Sequence, residues 1–195
     1  MALVVFTGGV RSGKSAAAQE LAAERQRQGV RVVVAVFGRG DADAEMAGRI
    51  SRHQDDRPSG FETLEAAGRA SWTAEVPGDA LLVVDCLGTL LGGVIEEALA
   101  VSESTELDAA VLAAVEARFA EVVQWLAGRQ ADTIVVTNEV GDGIVPAYPS
   151  GRLFRDLLGR ANRSLVDAAD RAYLVVCGRI VELSALPRRA SWPHD

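Results

Sequence analysis

Apolar runs alternate with helical patterns along most of this chain. Short runs rich in β-branched residues predict four strands, at residues 3–7, 31–37, 80–85 and 133–137. Apolar residues spaced three and four apart predict helices at residues 15–28, 43–53, from about 87, 107–126 and 153–169. Buried strands joined by helices form parallel sheets that are covered on both faces. The alternation therefore predicts an α/β fold, with a mostly parallel sheet and helices on each side.

The end of the chain departs from this alternation. Two apolar runs, at residues 172–177 and 180–183, are joined by Gly178 and Arg179, which predicts an antiparallel hairpin that closes the sheet. Neither a repeat nor a linker divides the chain. We expect one nucleotide-binding catalytic domain over residues 1–187 and a mobile tail over residues 188–195.

Composition excludes several classes of protein. The 195 residues are 49% hydrophobic and 24% charged, with a net charge of -7, which argues against a broad nucleic-acid-binding surface because such surfaces need clustered cations. We expect no membrane span and no secretory signal, because the apolar runs are short. The only two cysteines, Cys86 and Cys177, are far apart, which favours free thiols in a reducing cytoplasm.

A glycine-rich segment follows the first predicted strand and opens the first predicted helix. It fits the pattern G-x-x-x-x-G-K-[ST] of a P-loop, whose backbone N–H groups hold the phosphates of a nucleotide. Lys14 would reach the β and γ phosphates, and the hydroxyl of Ser15 would bind Mg²⁺. The chain has 19 arginines but only this one lysine. The loop favours a compact ammonium over a forked guanidinium. The predicted phosphate-binding residues are Gly8, Gly9, Val10, Arg11, Ser12, Gly13, Lys14 and Ser15.

Two acidic residues lie at, or just after, the ends of predicted strands. Asp85 ends an apolar run, where it could hold magnesium from the side opposite Ser15, or could cap the following helix. Glu139 leaves the run at 133–137 within the segment T-N-E-V-G. It could orient a substrate hydroxyl, complete a metal shell, or belong to an ordinary turn. Spacing alone leaves these alternatives open.

A basic cluster surrounds one of the two histidines. Arg49 and His53 are four residues apart and share a helix face, with Arg52 and Arg57 nearby. Neighbouring cations keep an imidazole neutral, and a neutral imidazole is a nucleophile. The same arginines could bind phosphates. On spacing alone, however, a solvated basic helix end is the favoured reading.

Taken together, four segments resemble the bifunctional adenosylcobinamide kinase/adenosylcobinamide-phosphate guanylyltransferase (CobU/CobP) family. They are TGGVRSGKS, DAEMAGRISRHQDDRP with the following FETLE, TNEVGDGIVP, and FRDLLGRANRSLVDAADRAYLVVCG. The resemblance implies a RecA-like P-loop NTPase domain that forms a homotrimer. It also implies two reactions: ATP or GTP phosphorylates adenosylcobinamide, and GTP then donates GMP to that phosphate.

The resemblance also assigns roles to residues. It implies that His53 carries GMP covalently. With Lys14 of the P-loop pattern and Glu139 after the fourth strand, His53 completes the set of predicted catalytic residues. Arg52 stands where relatives often have a second histidine, and Phe61 where a Trp is expected. Two alternatives remain, a small-molecule P-loop kinase without nucleotidyl transfer and a RecA-like nucleotide-switched binding protein. Further nucleotide contacts implied by the resemblance are Arg49, Arg52, Arg57, Glu65 and Asp85.

Overall fold

The computed structural model describes residues 1–38, 58–67, 71–102 and 107–189. Within these ranges the strands are β1 (Leu3–Thr7), β2 (Val32–Val36), β3 (Glu62–Glu65), β4 (Leu81–Asp85), β5 (Thr133–Val136), β6 (Arg171–Val176) and β7 (Arg179–Glu182). The helices are α1 (Lys14–Arg27), α2 (Trp72–Glu75), α3 (Leu87–Val101), α4 (Ala109–Gly128) and α5 (Pro149–Ala168). None of the described helices is long and apolar enough to cross a membrane.

One sheet contains all seven of these strands, in the order β3-β2-β4-β5-β1-β6-β7. The first six pair in parallel, and β7 pairs with β6 antiparallel. This arrangement confirms the predicted RecA-like α/β fold with an antiparallel strand at the C-terminal side. Because the six strands are parallel, their carboxyl ends lie along one edge of the sheet, and the segments that follow β1, β4 and β5 meet there.

The two faces of the sheet are covered by different helices. Helix α1 packs on one face, where Ala18 and Ala22 are fully buried against side chains such as Phe6 and Val34. Alanine brings the helix backbone close to the sheet and leaves little room for voids. Helices α3, α4 and α5 cover the other face with larger apolar side chains. The largest fully buried side chains that they contribute are Leu87, Leu91, Leu126, Leu158 and Leu165.

The structure adds one strand that the sequence patterns did not predict. In β3, three of four residues are exposed, so neither alternation nor an apolar run marks it as a strand. Its conformation depends on parallel pairing with β2, from Val33 opposite Glu62 to Val36 opposite Glu65. Pairing with β2, and not the local sequence pattern, therefore makes these residues a strand.

Helix boundaries also differ from the predictions. The fourth helix begins two residues later than predicted, because Asp108 is the N-cap and its carboxylate accepts a hydrogen bond of 2.8 Å from the Val111 amide. Helix α5 begins four residues earlier than predicted, with Pro149 in its first turn, a position that proline favours. The predicted helix at 43–53 and the end of the predicted tail lie outside the described residues.

Candidate nucleotide-binding site

The loop between β1 and α1 crosses the carboxyl edge of the sheet. At Gly8, where φ is 153°, an added Cβ would lie 2.3 Å from the Val175 carbonyl oxygen of β6, so only glycine fits. At Gly13, the N-cap of α1, φ is 99° and the backbone is left-handed. The loop thus brings its backbone to the N-terminus of α1, which favours bound anions.

Lys14 is buried at the base of this loop. Its side chain is 7% exposed, and its Nζ donates a hydrogen bond of 2.9 Å to the Gly9 carbonyl oxygen. Burial lowers the pKa of Lys14, while the nearby Cys86 and Asp85 oppose that shift. The ammonium is therefore held within the loop rather than in solvent.

Ser15 and Asp85 are in direct contact. The Ser15 Oγ donates a hydrogen bond of 3.1 Å to Asp85 Oδ1. The N-cap of α3 is Cys86, and no side chain caps that helix end, so the structure does not give Asp85 the capping role that its sequence position allowed. A hydroxyl and a carboxylate are oxygen ligands of the kind that Mg²⁺ prefers. The pair therefore fits a magnesium ion beside the phosphates.

The segment after β5 is anchored to the same loop. The Glu139 amide donates a hydrogen bond of 3.0 Å to the Gly8 carbonyl oxygen. The exposed Glu139 side chain bends back, and its Oε1 accepts a hydrogen bond of 2.7 Å from the Gly141 amide. Glu139 therefore lies next to the P-loop, with its carboxylate at the surface.

Asn162 of α5 holds this segment from beneath. Asn162 is 6% exposed. Its Oδ1 accepts a hydrogen bond of 2.6 Å from the Thr137 hydroxyl, and its Nδ2 donates one of 2.9 Å to the Asn138 carbonyl oxygen. The sequence analysis missed this role. A polar residue on the buried face of an amphipathic helix was the available signal, since buried amides are usually hydrogen-bonded.

The turn between β6 and β7 is a second support that the sequence analysis missed. The Gly178 amide donates a hydrogen bond of 2.8 Å to the Ser12 carbonyl oxygen. An added Cβ at Gly13 would lie 3.4 Å from the Gly178 Cα. The predicted hairpin therefore also packs against the P-loop and supports its shape.

A cleft of about 690 Å³ opens beside these residues. The P-loop contributes Val10 at one end, and the segment after β5 contributes Asn138, Glu139 and Val140. One wall is helix α3, and Phe37 and Phe154 add aromatic surface. The cleft therefore opens directly beside the phosphate-binding loop.

The structure brings together three of the predicted functional side chains, Lys14, Ser15 and Asp85. Glu139 lies beside the P-loop through its backbone amide. Glu65 lies at the carboxyl end of β3, on the same edge of the sheet, where its register partner is Val36 of β2. The described residues contain no cluster of three or more His, Cys, Asp or Glu side chains that could hold a metal ion. Both cysteines are free thiols. The predicted residues Arg49, Arg52, His53 and Arg57 lie outside the described ranges.

The fold and the loop geometry define a P-loop nucleotide-binding protein of the α/β class. The family model for cobinamide kinase / cobinamide phosphate guanyltransferase (CobU) matches residues 4–183. The chain belongs to this family of bifunctional enzymes, as the sequence resemblance indicated.

Two curated relatives agree with this assignment. The bifunctional adenosylcobalamin biosynthesis protein CobU of Salmonella typhimurium is 33% identical over 182 residues, covering 90% of this chain and 96% of its own. The bifunctional adenosylcobalamin biosynthesis protein CobP of Pseudomonas aeruginosa is 32% identical, covering 94% and 98%. A solved KaiC-like protein of Pyrococcus horikoshii is 11% identical at a TM-score of 0.44, over 89% of this chain and 70% of its own.

Proposed function

We propose that this protein phosphorylates adenosylcobinamide with ATP or GTP and then transfers GMP from GTP to the product, giving adenosylcobinamide-GDP for cobalamin synthesis. The observation that carries the proposal is the contact between Ser15 and Asp85 beside the buried Lys14, in a chain that matches the family over residues 4–183. We further propose that it acts in the cytoplasm as a homotrimer, which rests on the resemblance to the family.

The first reaction is phosphoryl transfer. The hydroxyl oxygen of the acceptor attacks the γ-phosphorus, the bond to the β–γ bridging oxygen breaks, and the nucleoside diphosphate leaves. Lys14 and the N–H groups of the loop stabilise the negative charge on the phosphates. Ser15 and Asp85 would hold Mg²⁺, which supplies further charge neutralisation when bound. Glu139, at the edge of the cleft, orients the attacking hydroxyl and accepts its proton.

The second reaction is guanylyl transfer through His53. Its neutral imidazole attacks the α-phosphorus of GTP, pyrophosphate leaves, and GMP is held through a phosphorus–nitrogen bond. A phosphate oxygen of the acceptor then attacks the same phosphorus, and the imidazole leaves. We assign phosphate contacts to Arg49, Arg52 and Arg57, because guanidinium groups bind phosphates with two parallel hydrogen bonds. Glu65 is assigned to the nucleotide because it shares the sheet edge with Asp85.

Labelled nucleotides test the two reactions separately. With adenosylcobinamide and magnesium, label from γ-labelled ATP should pass to the corrinoid, and label from α-labelled GTP should follow only after that phosphorylation. Transfer of the γ label without the α label would favour a plain kinase. Nucleotide hydrolysis without transfer of either label would favour a nucleotide-switched binding protein.

A further inference from the structure

One face of α3 forms a continuous wall of the cleft described above. Gly88, Gly92, Glu96 and Ala100 all line the cleft, and their four-residue spacing puts them on one side of the helix. With a rise of 1.5 Å per residue, this wall runs for about 18 Å. The cleft is therefore elongated, and it begins at the P-loop.

In the half of this wall that lies closer to the P-loop, Gly88, Gly92 and Gly93 contribute no side chains, and Thr89 is the one lining residue of α3 that does. A Cβ added at Gly92 or Gly93 would meet no atom within 4 Å, so the space above both glycines belongs to the cleft. At Gly88 an added Cβ would lie 3.0 Å from Asn138 Oδ1 and 3.5 Å from the ring of Phe154. The glycines therefore keep open a passage that most side chains would narrow. Because glycine weakens a helix, such a series is not there for helix stability.

The charged side chains that the described residues contribute to the cleft are all acidic. Glu139 lies at the P-loop end, and Glu96 and Glu97 lie further along α3. None of the described residues lining the cleft is a lysine or an arginine. A triphosphate would be repelled by such a lining, whereas the P-loop beside it attracts phosphates. The described part of the lining thus suits a second substrate that is neutral or cationic.

An alkylated cobalt(III) corrinoid matches this lining. Its metal-centred ring carries a net positive charge, its edge carries amide groups whose N–H donors pair with carboxylates, and its body is largely apolar. Phe37, Val140 and Phe154 offer apolar surface to that body. A corrin ring with its amides exceeds about 690 Å³, so the cleft takes one edge of the molecule with the alcohol-bearing arm.

We propose that this cleft is the subsite for the acceptor, adenosylcobinamide; this inference rests on the proposed function. The glycine face of α3 admits the arm of the corrinoid, Glu96 and Glu97 bind its amide edge, and the hydroxyl is delivered to Glu139 beside the P-loop. The subsite explains how a single phosphate-binding loop serves an acceptor far larger than a nucleotide.

Filling the passage tests this assignment. Gly92→Leu places a side chain in the cleft, and Gly92→Ala places a single methyl group there. Gly159 of α5 is an exposed helix glycine, also with no atom within 4 Å of an added Cβ, so Gly159→Leu is the matched control. All three changes replace a helix glycine by a better helix former, so folding should be retained.

We expect Gly92→Leu to raise the KM for adenosylcobinamide tenfold or more in the kinase assay, with a smaller rise for Gly92→Ala and none for Gly159→Leu. The Kd for ATP, and for a GTP analogue whose α–β phosphate bond cannot be cleaved, measured by calorimetry without acceptor, should stay within twofold for all three. Glu97→Gln should also raise the acceptor KM without changing the Kd for nucleotide.

Three results would contradict the assignment of the cleft to the acceptor. An unchanged acceptor KM in Gly92→Leu would show that the cleft is not used by the acceptor. Weaker binding of the GTP analogue in the absence of acceptor would assign the cleft to the guanine base. A changed oligomeric state in sedimentation would assign it to a second copy of the chain. Failure of the proposed function itself would instead appear as absence of transfer in the unmodified protein.

Discussion

Burial determines what Lys14 can do. A compact ammonium fits beneath the loop at 2.9 Å from the Gly9 carbonyl oxygen, whereas a guanidinium is wider and forked. We therefore expect both Lys14→Ala and Lys14→Arg to lower phosphoryl transfer by roughly a hundredfold or more, the scale on which a single electrostatic group contributes. Arg27→Ala, which removes an exposed cation at the end of α1, is the control. Near-normal turnover of Lys14→Arg would contradict this role.

The lowered pKa of Lys14 also makes a prediction about stability. At neutral pH the folded state holds a buried charge that the unfolded state leaves in water. Between the lowered pKa of Lys14 in the folded state and its ordinary value of 10.5, the folded protein releases the proton while the unfolded chain keeps it. The free-energy cost of burying the charged ammonium therefore disappears as pH rises through this range. Without nucleotide, Lys14→Met should therefore be more stable than the unmodified protein at pH 7, and part of that advantage should be lost at pH 10.

Urea unfolding at both pH values measures this difference. The difference in unfolding free energy between Lys14→Met and the unmodified protein is measured at pH 7 and at pH 10, and the two differences are compared. This comparison is needed because the variant lacks the hydrogen bond to Gly9 at either pH. A difference that stays constant from pH 7 to pH 10 would show that burial of the ammonium does not affect folding.

Asp85 is expected to act through magnesium. Asp85→Asn keeps the shape of the side chain but removes its charge, so the Mg²⁺ concentration for half-maximal kinase activity should rise and the maximal rate should fall. Asp156→Asn, at an exposed position on α5, should leave the titration unchanged. If Asp85→Asn reduces only thermal stability and the Mg²⁺ titration is unaffected, the carboxylate has a structural role alone.

At the scale of elements, the P-loop depends on the strand beside it. Gly8→Ala would drive a Cβ to 2.3 Å from the Val175 carbonyl oxygen, so loop or strand must move. We expect a loss of about 1–3 kcal/mol in the free energy of unfolding. Gly9→Ala, whose added Cβ would meet no atom within 4 Å, should change it by less than about 0.5 kcal/mol. Equal losses for both variants in urea unfolding would contradict the proposed packing.

The elements differ in how far the sequence predicted them. The four runs that became β1, β2, β4 and β5 are buried and rich in β-branched residues, so local pattern was enough. β3 was missed because its exposed residues show no pattern and only pairing with β2 makes it a strand. The start of α5 was missed because Pro149 opens the helix before its apolar spacing begins.

At the scale of the whole molecule, the site is assembled from distant segments. Asp85 ends one strand, and Lys14 and Glu139 lie in segments that follow two others. The parallel order of β1, β5 and β4 brings the carboxyl ends of these strands together. The sequence predicted each residue from its own motif. It could not predict the hydrogen bond from Ser15 to Asp85, or the supports from Asn162 and Gly178, because those depend on strand order and helix packing.

The central claim is that two reactions share this one domain, and His53 is the residue on which that claim depends. Neither the P-loop nor the cleft requires an imidazole, so kinase activity should largely persist in His53→Ala. Guanylyl transfer should be lost in that variant. The chain contains only one other histidine, His194, which makes His194→Ala a matched control.

Covalent labelling with GTP tests this claim most directly. After incubation with α-labelled GTP and magnesium, the denatured protein should keep its label through alkali and lose it in acid, as a phosphorus–nitrogen bond does. γ-Labelled GTP should leave no label on His53. His53→Ala should abolish the α label, and His194→Ala should retain it. Undiminished α labelling of the His53→Ala protein would contradict the guanylyl-histidine mechanism.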